Sequence, residues 1–237
     1  MLLEICVFNI ASAIEAEKAG ADRIELCENY DNGGTTPSFG YLKTVREKIN
    51  IPVFPMIRPR GGDFFYSKEE LEIMAKDIQL CKDLGYQGVV FGLLNQDGTI
   101  DVANTSRLVD LAYPMDVTFH RAFDRCKMPF VALENIIQCG CKRILTSGQM
   151  PKVSEGILLV KELVDLAGDR IIIMPGSGLN SANVNNIVTI TRAKEVHSSA
   201  RKILSSDMQY ENSMISANDI VDSVNVEEIK SIKMKIS

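Results

Sequence analysis

The chain repeats one unit, and that repetition limits what it can fold into. AIEAEKAGADRIELC (13–27), DIQLCKDLGYQGVVFG (77–92), ALENIIQCGCKRILTSG (132–148) and NIVTITRAKEVHSSA (186–200) each read as a helical stripe, a short break and a β-rich run. In the first three the break holds a glycine, Gly20, Gly85 or Gly140, the residue that best tolerates the left-handed turn ending a helix. Helix, glycine, strand in regular alternation predicts parallel strands joined by helices. Eight strand segments are legible, at about 2–7, 23–27, 52–57, 86–92, 115–120, 142–147, 170–174 and 194–199. Helices fill most gaps. SKEE starts the clearest one, with Ser67 and Glu70 spaced as a capping box and Leu71, Met74, Ile78 and Cys81 at helical intervals. Val226, Ile229, Ile232 and Ile236 predict a closing helix. Eight such units in 237 residues fit a single α/β domain, a (β/α)8 TIM-type barrel of eight parallel strands over residues 1–237. The rival is an open doubly wound sheet, weakened by the lack of G-x-G-x-x-G after the first strand.

A net charge of −5 and a pI near 5.2 argue against a nucleic-acid or anionic-membrane partner. The start, MLLEICVFNI, has no basic region and carries Glu4, so it does not read as a signal peptide. No apolar run approaches the roughly 18 residues of a membrane helix. Six scattered cysteines without a CxxC pair fit reduced thiols and a cytoplasmic setting.

Side chains alternate faces along a strand. Leu3, Ile5, Val7, Ile24, Leu26, Val117, Phe119 and Val196 then pack outward on helices. Glu4, Cys6, Glu25, Cys27, Phe54, Met56, Arg58, Thr118, His120, Glu195 and His197 face the interior. Buried charges need partners. Strand eight neighbours strand one in a closed barrel, so His197 is expected to meet Glu4; Glu25 and Arg58 form a second candidate pair. Both histidines of the chain fall at carboxyl ends of strands, where barrel enzymes keep their sites. Glu4, Glu25, His120 and His197 are the candidate catalytic residues. The plainer reading is an internal salt-bridge layer that only holds the barrel.

The loops after the strands add candidate anion-binding residues. RPRGGDFFY (58–66) offers Arg58 and Arg60 and reads as a clamp or lid. FHRAFD offers Arg121 and Asp124. MPGSG (174–178) brings Gly176, Ser177 and Gly178, and HSSAR (197–201) brings Ser198 and Arg201. Loops seven and eight are where such barrels often seat phosphate. NGGTTPS (32–38) is turn chemistry, with Ser38 placed to cap the next helix. For a soft metal, Cys6 with Cys27 is the best thiol pair. Its separation depends on barrel stagger, and the expectation is that the two thiols mainly fill space rather than form a site completed by further ligands. Cys139 with Cys141 is the poorer pair, because alternate residues of an extended run sit about 7 Å apart.

In combination ADRIELC, GGTTPSFG, MIRPRGGDFFY, GVVFGLLNQDGTID, TFHRAFD, RILTSG, MPGSG and EVHSSA resemble the CutC family, from residue 2 to about 201. The resemblance implies a cytosolic TIM-type barrel, a homo-oligomer with a dimer favoured, and an association with copper homeostasis, with Cu(I) as a possible ligand. One departure is visible: Gln149 follows TSG where the family pattern calls for another glycine. Two function classes stand side by side. One is copper handling through cysteine. The other is an enzyme acting on a small anionic metabolite, phosphorylated or carboxylated, at the carboxyl mouth of the barrel.

Overall fold

The computed structural model describes residues 1–210, 212, 214 and 220–237. Eight parallel strands alternate with helices. In chain order they are β1 (Leu2–Val7), α1 (Ile10–Lys18), β2 (Arg23–Leu26), α2 (Phe39–Lys48), β3 (Val53–Pro55), α3 (Lys68–Asp83), β4 (Gly88–Phe91), α4 (Val102–Ala112) and β5 (Asp116–Phe119). There follow α5 (Pro129–Gln138), β6 (Arg143–Thr146), α6 (Ile157–Ala167), β7 (Ile172–Pro175), α7 (Val184–Thr191) and β8 (Glu195–Ser198). A hairpin of β9 (Arg201–Ser205) and β10 (Ile220–Val224) precedes α8 (Val226–Ile236).

Local sequence explains the units. Gly20, Gly85 and Gly140 all take left-handed backbone. In the fourth unit Arg192 adopts the same region at φ 57°, standing where the others have glycine. Ser67 and Glu70 form both halves of the capping box of α3, and Leu71, Met74, Ile78 and Cys81 are its buried stripe. Ser38 sits at the start of α2 but does not cap it through its side chain; its backbone N–H instead donates to the Glu28 carboxylate.

The strands form two hydrogen-bonded sheets, β3-β2-β1-β8 and β4-β5-β6-β7. A parallel bridge between Met56 and Val90 joins β3 to β4. The ladder is therefore not continuous around the ring: β7 and β8 lie side by side but no ladder links them among the described residues. At that seam the backbone of Gly176 packs against His197, whose side chain would meet an added Cβ at 3.2 Å. The expected outward residues, Leu3, Ile5, Val7, Ile24, Leu26, Val117, Phe119 and Val196, are all buried against the helices. Ile229, Ile232 and Ile236 of α8 join the same core, with α8 packed on α7 and α1. The hairpin is anchored over α1 by the Asn9 side chain donating to the Asp222 carbonyl at 2.6 Å.

Candidate functional site

The barrel interior has a charged floor and an open mouth. At the floor the Arg23 guanidinium donates to Glu4 and, at 2.5 Å, to Glu195. Arg143 donates to the same Glu195 oxygen at 3.2 Å and to Asp116 at 3.1 Å. The Phe54 ring lies 5.0 Å from the Arg23 guanidinium and 5.1 Å from that of Arg143. It fits because residue 88 is glycine: a Cβ there would lie 2.4 Å from the ring. Neither Arg23 nor Arg143 was singled out from the sequence, although Arg23 shares the face of Glu25 by simple alternation.

His197 stands on this floor. Its Nδ1 is 2.8 Å from Glu4, the expected pair, and the β1–β8 register sets Glu4 directly opposite His197. Burial opposes charge on Glu4, but Arg23 and His197 outweigh it and bring the carboxyl down to about 2. Burial likewise opposes charge on His197; the Glu4 hydrogen bond and the two carboxylates outweigh it and raise its pKa. The His197 Nε2 reaches to 3.9 Å from Glu25. Glu25 does not pair with Arg58. One of its oxygens accepts from the Cys27 thiol at 3.7 Å, and the other has no partner among the described residues. Burial raises its pKa.

The two thiols meet. Cys6 Sγ and Cys27 Sγ are 3.8 Å apart, and a Glu25 oxygen completes a cluster whose donor atoms all lie within 4.8 Å of one another. The space-filling expectation did not include this neighbouring carboxylate. The register places Cys6 opposite Glu25, so Cys27 lies one step diagonally along β2's continuation and turns its sulfur back toward Cys6. Cys139 and Cys141 form no such cluster among the described residues.

Above the thiols opens a cavity of about 570 Å³, walled by Phe8, Tyr30, Met56, Phe64 and Leu145 and reached by Cys6, Glu25, Arg58, His120, Arg121 and His197. His120 directly follows β5 and is 4 % exposed. Its Nδ1 accepts the Ala122 N–H, which puts the ring hydrogen on Nε2; that atom has no partner among the described residues. Burial, and secondarily the Arg58 charge, bring its pKa down to about 3, so the ring is a neutral donor. Gly92 makes room for it, since a Cβ there would lie 2.5 Å from Nδ1. Phe64 covers the ring at 4.8 Å between centroids.

Arg58 is also 4 % exposed, and among the described residues its guanidinium donates to the carbonyls of Asn32, Gly34 and Gly62. Its Nε has no partner among the described residues. Arg121 lines the rim and donates to Asp124 at 2.7 Å and to the Ser147 hydroxyl. Asp124 is not free for a ligand: it accepts from Thr146, Ser147 and the Gln149 N–H, organising the loop after β6. Gln149 adopts φ 59°, which explains the glycine expected there, and its side chain donates to the Cys126 carbonyl at 2.7 Å.

Other sequence candidates turn away. Arg60 is held by Asp63 of its own loop at 3.0 Å and by Glu70 in the first turn of α3 at 2.5 Å. Arg201 pairs with Asp222 and stacks on Tyr30 at 3.6 Å. The Ser198 hydroxyl donates to the Leu179 carbonyl, and Gly176 backs the seam. Ser177 and Gly178 do line the cavity, together with Ser199. Phe64 belongs to the loop read as a clamp or lid, while Phe8 and Tyr30, which complete the aromatic wall, went unread in the sequence.

The CutC family model matches residues 1–202. The chain belongs to the CutC family. A CutC family protein of Parabacteroides distasonis is 48% identical over 99% of this chain and 97% of its own. The human copper homeostasis protein cutC homolog is 47% identical over 90% of this chain and 78% of its own. The crystal structure of a copper homeostasis protein CutC from Streptococcus agalactiae superposes with a TM-score of 0.80 at 35% identity, over 84% of this chain and 98% of that one. Phosphoribosyl anthranilate isomerase of Thermotoga maritima, at 13% identity and a TM-score of 0.61, shares the barrel architecture. No helix among the described residues is long and apolar enough to cross a membrane.

Proposed function

We propose that this CutC family member binds Cu(I) at the Cys6–Cys27 pair in the mouth of its barrel. The observation that carries the reading is the 3.8 Å sulfur separation beside a buried carboxylate. Soft thiolates select Cu(I). One ion bridging two sulfurs at on the order of 2.3 Å per bond spans at most about 4.6 Å, so the pair accepts an ion without moving the strands. A disulfide fits less well. The register sets the two residues on a diagonal, where Cα atoms are about 7–8 Å apart, beyond the usual disulfide range.

Both thiols are protonated in the metal-free protein. The hydrogen bond with Cys27, and then burial, hold Cys6 well above the ordinary thiol value. Cys27 is drawn down by Cys6 but pushed up to about 11 by burial and the Glu25 carboxylate. Copper binding therefore releases protons, and affinity rises with pH. The names of the relatives support a role in copper homeostasis, and six free cysteines support a reducing, cytoplasmic setting. Ile203, Leu204, Ile220 and Val221, exposed on the β9–β10 hairpin, support self-association, which light scattering tests.

The decisive experiment is anaerobic titration of the reduced protein with Cu(I) against a competing chelator. One tightly bound equivalent is expected, lost in a Cys6→Ser, Cys27→Ser double variant. Equal binding by the variant would refute the assignment.

A further inference from the structure

The cavity above the thiols is lined by buried polar groups with unused hydrogen-bonding capacity. His120 Nε2–H is a buried donor with no acceptor among the described residues. The unpartnered Glu25 oxygen is a buried acceptor in the same cavity. Native proteins leave few buried polar atoms unpaired, and two in one cavity call for a ligand that brings both an acceptor and a donor. Arg58 adds a buried cation whose partners are carbonyls, with no carboxylate bonded to it among the described residues. A buried charge of this kind calls for a counter-charge.

The loops after β7 and β8 offer a place for one. Ser177 and Gly178 both take left-handed backbone, at φ 73° and 70°. The Ser177 carbonyl accepts from Val153 and its hydroxyl donates to Pro151, but the N–H groups of Ser177, Gly178 and Ser199 meet no protein acceptor among the described residues. Successive free amides in such a turn form an anion-binding concavity. All three residues line the cavity that His120 and Arg58 enter, and its 570 Å³ suits a small metabolite.

We propose that the mouth is a second, metal-independent ligand site for a small hydroxylated phosphate monoester. Its phosphate rests on the Ser177, Gly178 and Ser199 amides, one of its oxygens accepts from His120 Nε2–H, and a hydroxyl donates to Glu25. The thiols take no part.

The chain's two histidines make the test readable. Protein carrying ¹⁵N-histidine is titrated with glycerol 3-phosphate, inorganic phosphate and glycerol while the imidazole resonances are followed by NMR. A saturable shift of the His120 Nε2 signal is expected with glycerol 3-phosphate, weaker binding with phosphate and none with glycerol. Ser199→Asp sets a carboxylate at the seat and should weaken glycerol 3-phosphate at least about tenfold, equivalent to ~1.4 kcal/mol. His120→Phe should lose the preference for the monoester over phosphate. Metal-free protein should bind both equally well with and without a Cu(I) chelator present. Absence of any saturable shift at millimolar phosphate ester, or undiminished binding by Ser199→Asp, would overturn the proposal. So would loss of binding on addition of the chelator.

Discussion

The two ends of one barrel interior treat buried charge in opposite ways. At the floor Glu4, Arg23, Arg143 and Glu195 satisfy one another. At the mouth Arg58 is bonded to carbonyls, a Glu25 oxygen and the His120 Nε2–H have no partner among the described residues, and two thiols face each other. The same low-dielectric setting makes a satisfied network rigid and an unsatisfied one costly. The contrast separates scaffolding from function more sharply than residue type does. Glu4 and Glu25 are both buried glutamates on adjacent strands, yet only Glu25 is left with capacity to meet something from outside.

The largest expected effect is at the floor. Arg23→Ala strips Glu4 and Glu195 of their shared partner and should cost about 3–5 kcal/mol in denaturant unfolding. It should also change the acid limb. The native Glu4 carboxyl, lowered from its ordinary 4.5 to about 2, contributes stability that is present above pH 4.5 and lost as pH falls toward 2. In Arg23→Ala that part of the acid dependence should shrink. A variant as stable as the parent would mean that the floor is not what holds the barrel.

The two histidines should give opposite pH slopes, a smaller effect. His120, lowered from 6.5 to about 3, refuses a proton that the unfolded chain accepts, so its contribution is full above pH 6.5 and lost as pH falls toward 3. His197, raised, contributes below 6.5 and loses that contribution as pH rises through its native value. His120→Phe should flatten the decline between pH 6.5 and 3, and His197→Gln should not. Equal slopes in both variants would erase the distinction between the ends.

The smallest effect belongs to neither end. Gln149→Gly relieves a left-handed L-residue, worth about 1–2 kcal/mol, but gives up the Cys126 hydrogen bond, worth about 0.5–1.5 kcal/mol. A net gain under ~1 kcal/mol is expected by thermal unfolding. A clear loss would show that the side-chain bond matters more than the backbone strain.

Much of this was legible before any coordinates. Helix, glycine, strand predicted the barrel, and alternation turned Glu4, Cys6, Glu25, Cys27, His120 and His197 inward. Register was not legible, and register decides partners. It set His197 against Glu4 as expected, but joined Glu25 to the thiols rather than to Arg58. Rotamers were not legible either: Arg60 and Arg201 reach acidic neighbours instead of the cavity. The β9–β10 hairpin escaped notice because its strands are separated by the stretch from 206 to 219 and lack a clean alternating pattern. Arg23 escaped although the alternation contained it, because basic residues next to a strand start read as solvated.

The central claim is that the mouth keeps two thiols for a soft metal, and X-ray absorption at the copper edge tests it most directly. With one equivalent of Cu(I), two sulfur scatterers are expected in the parent protein, with both gone in the Cys6→Ser, Cys27→Ser variant. A first shell of nitrogen and oxygen alone, or a spectrum unchanged in the variant, would contradict it.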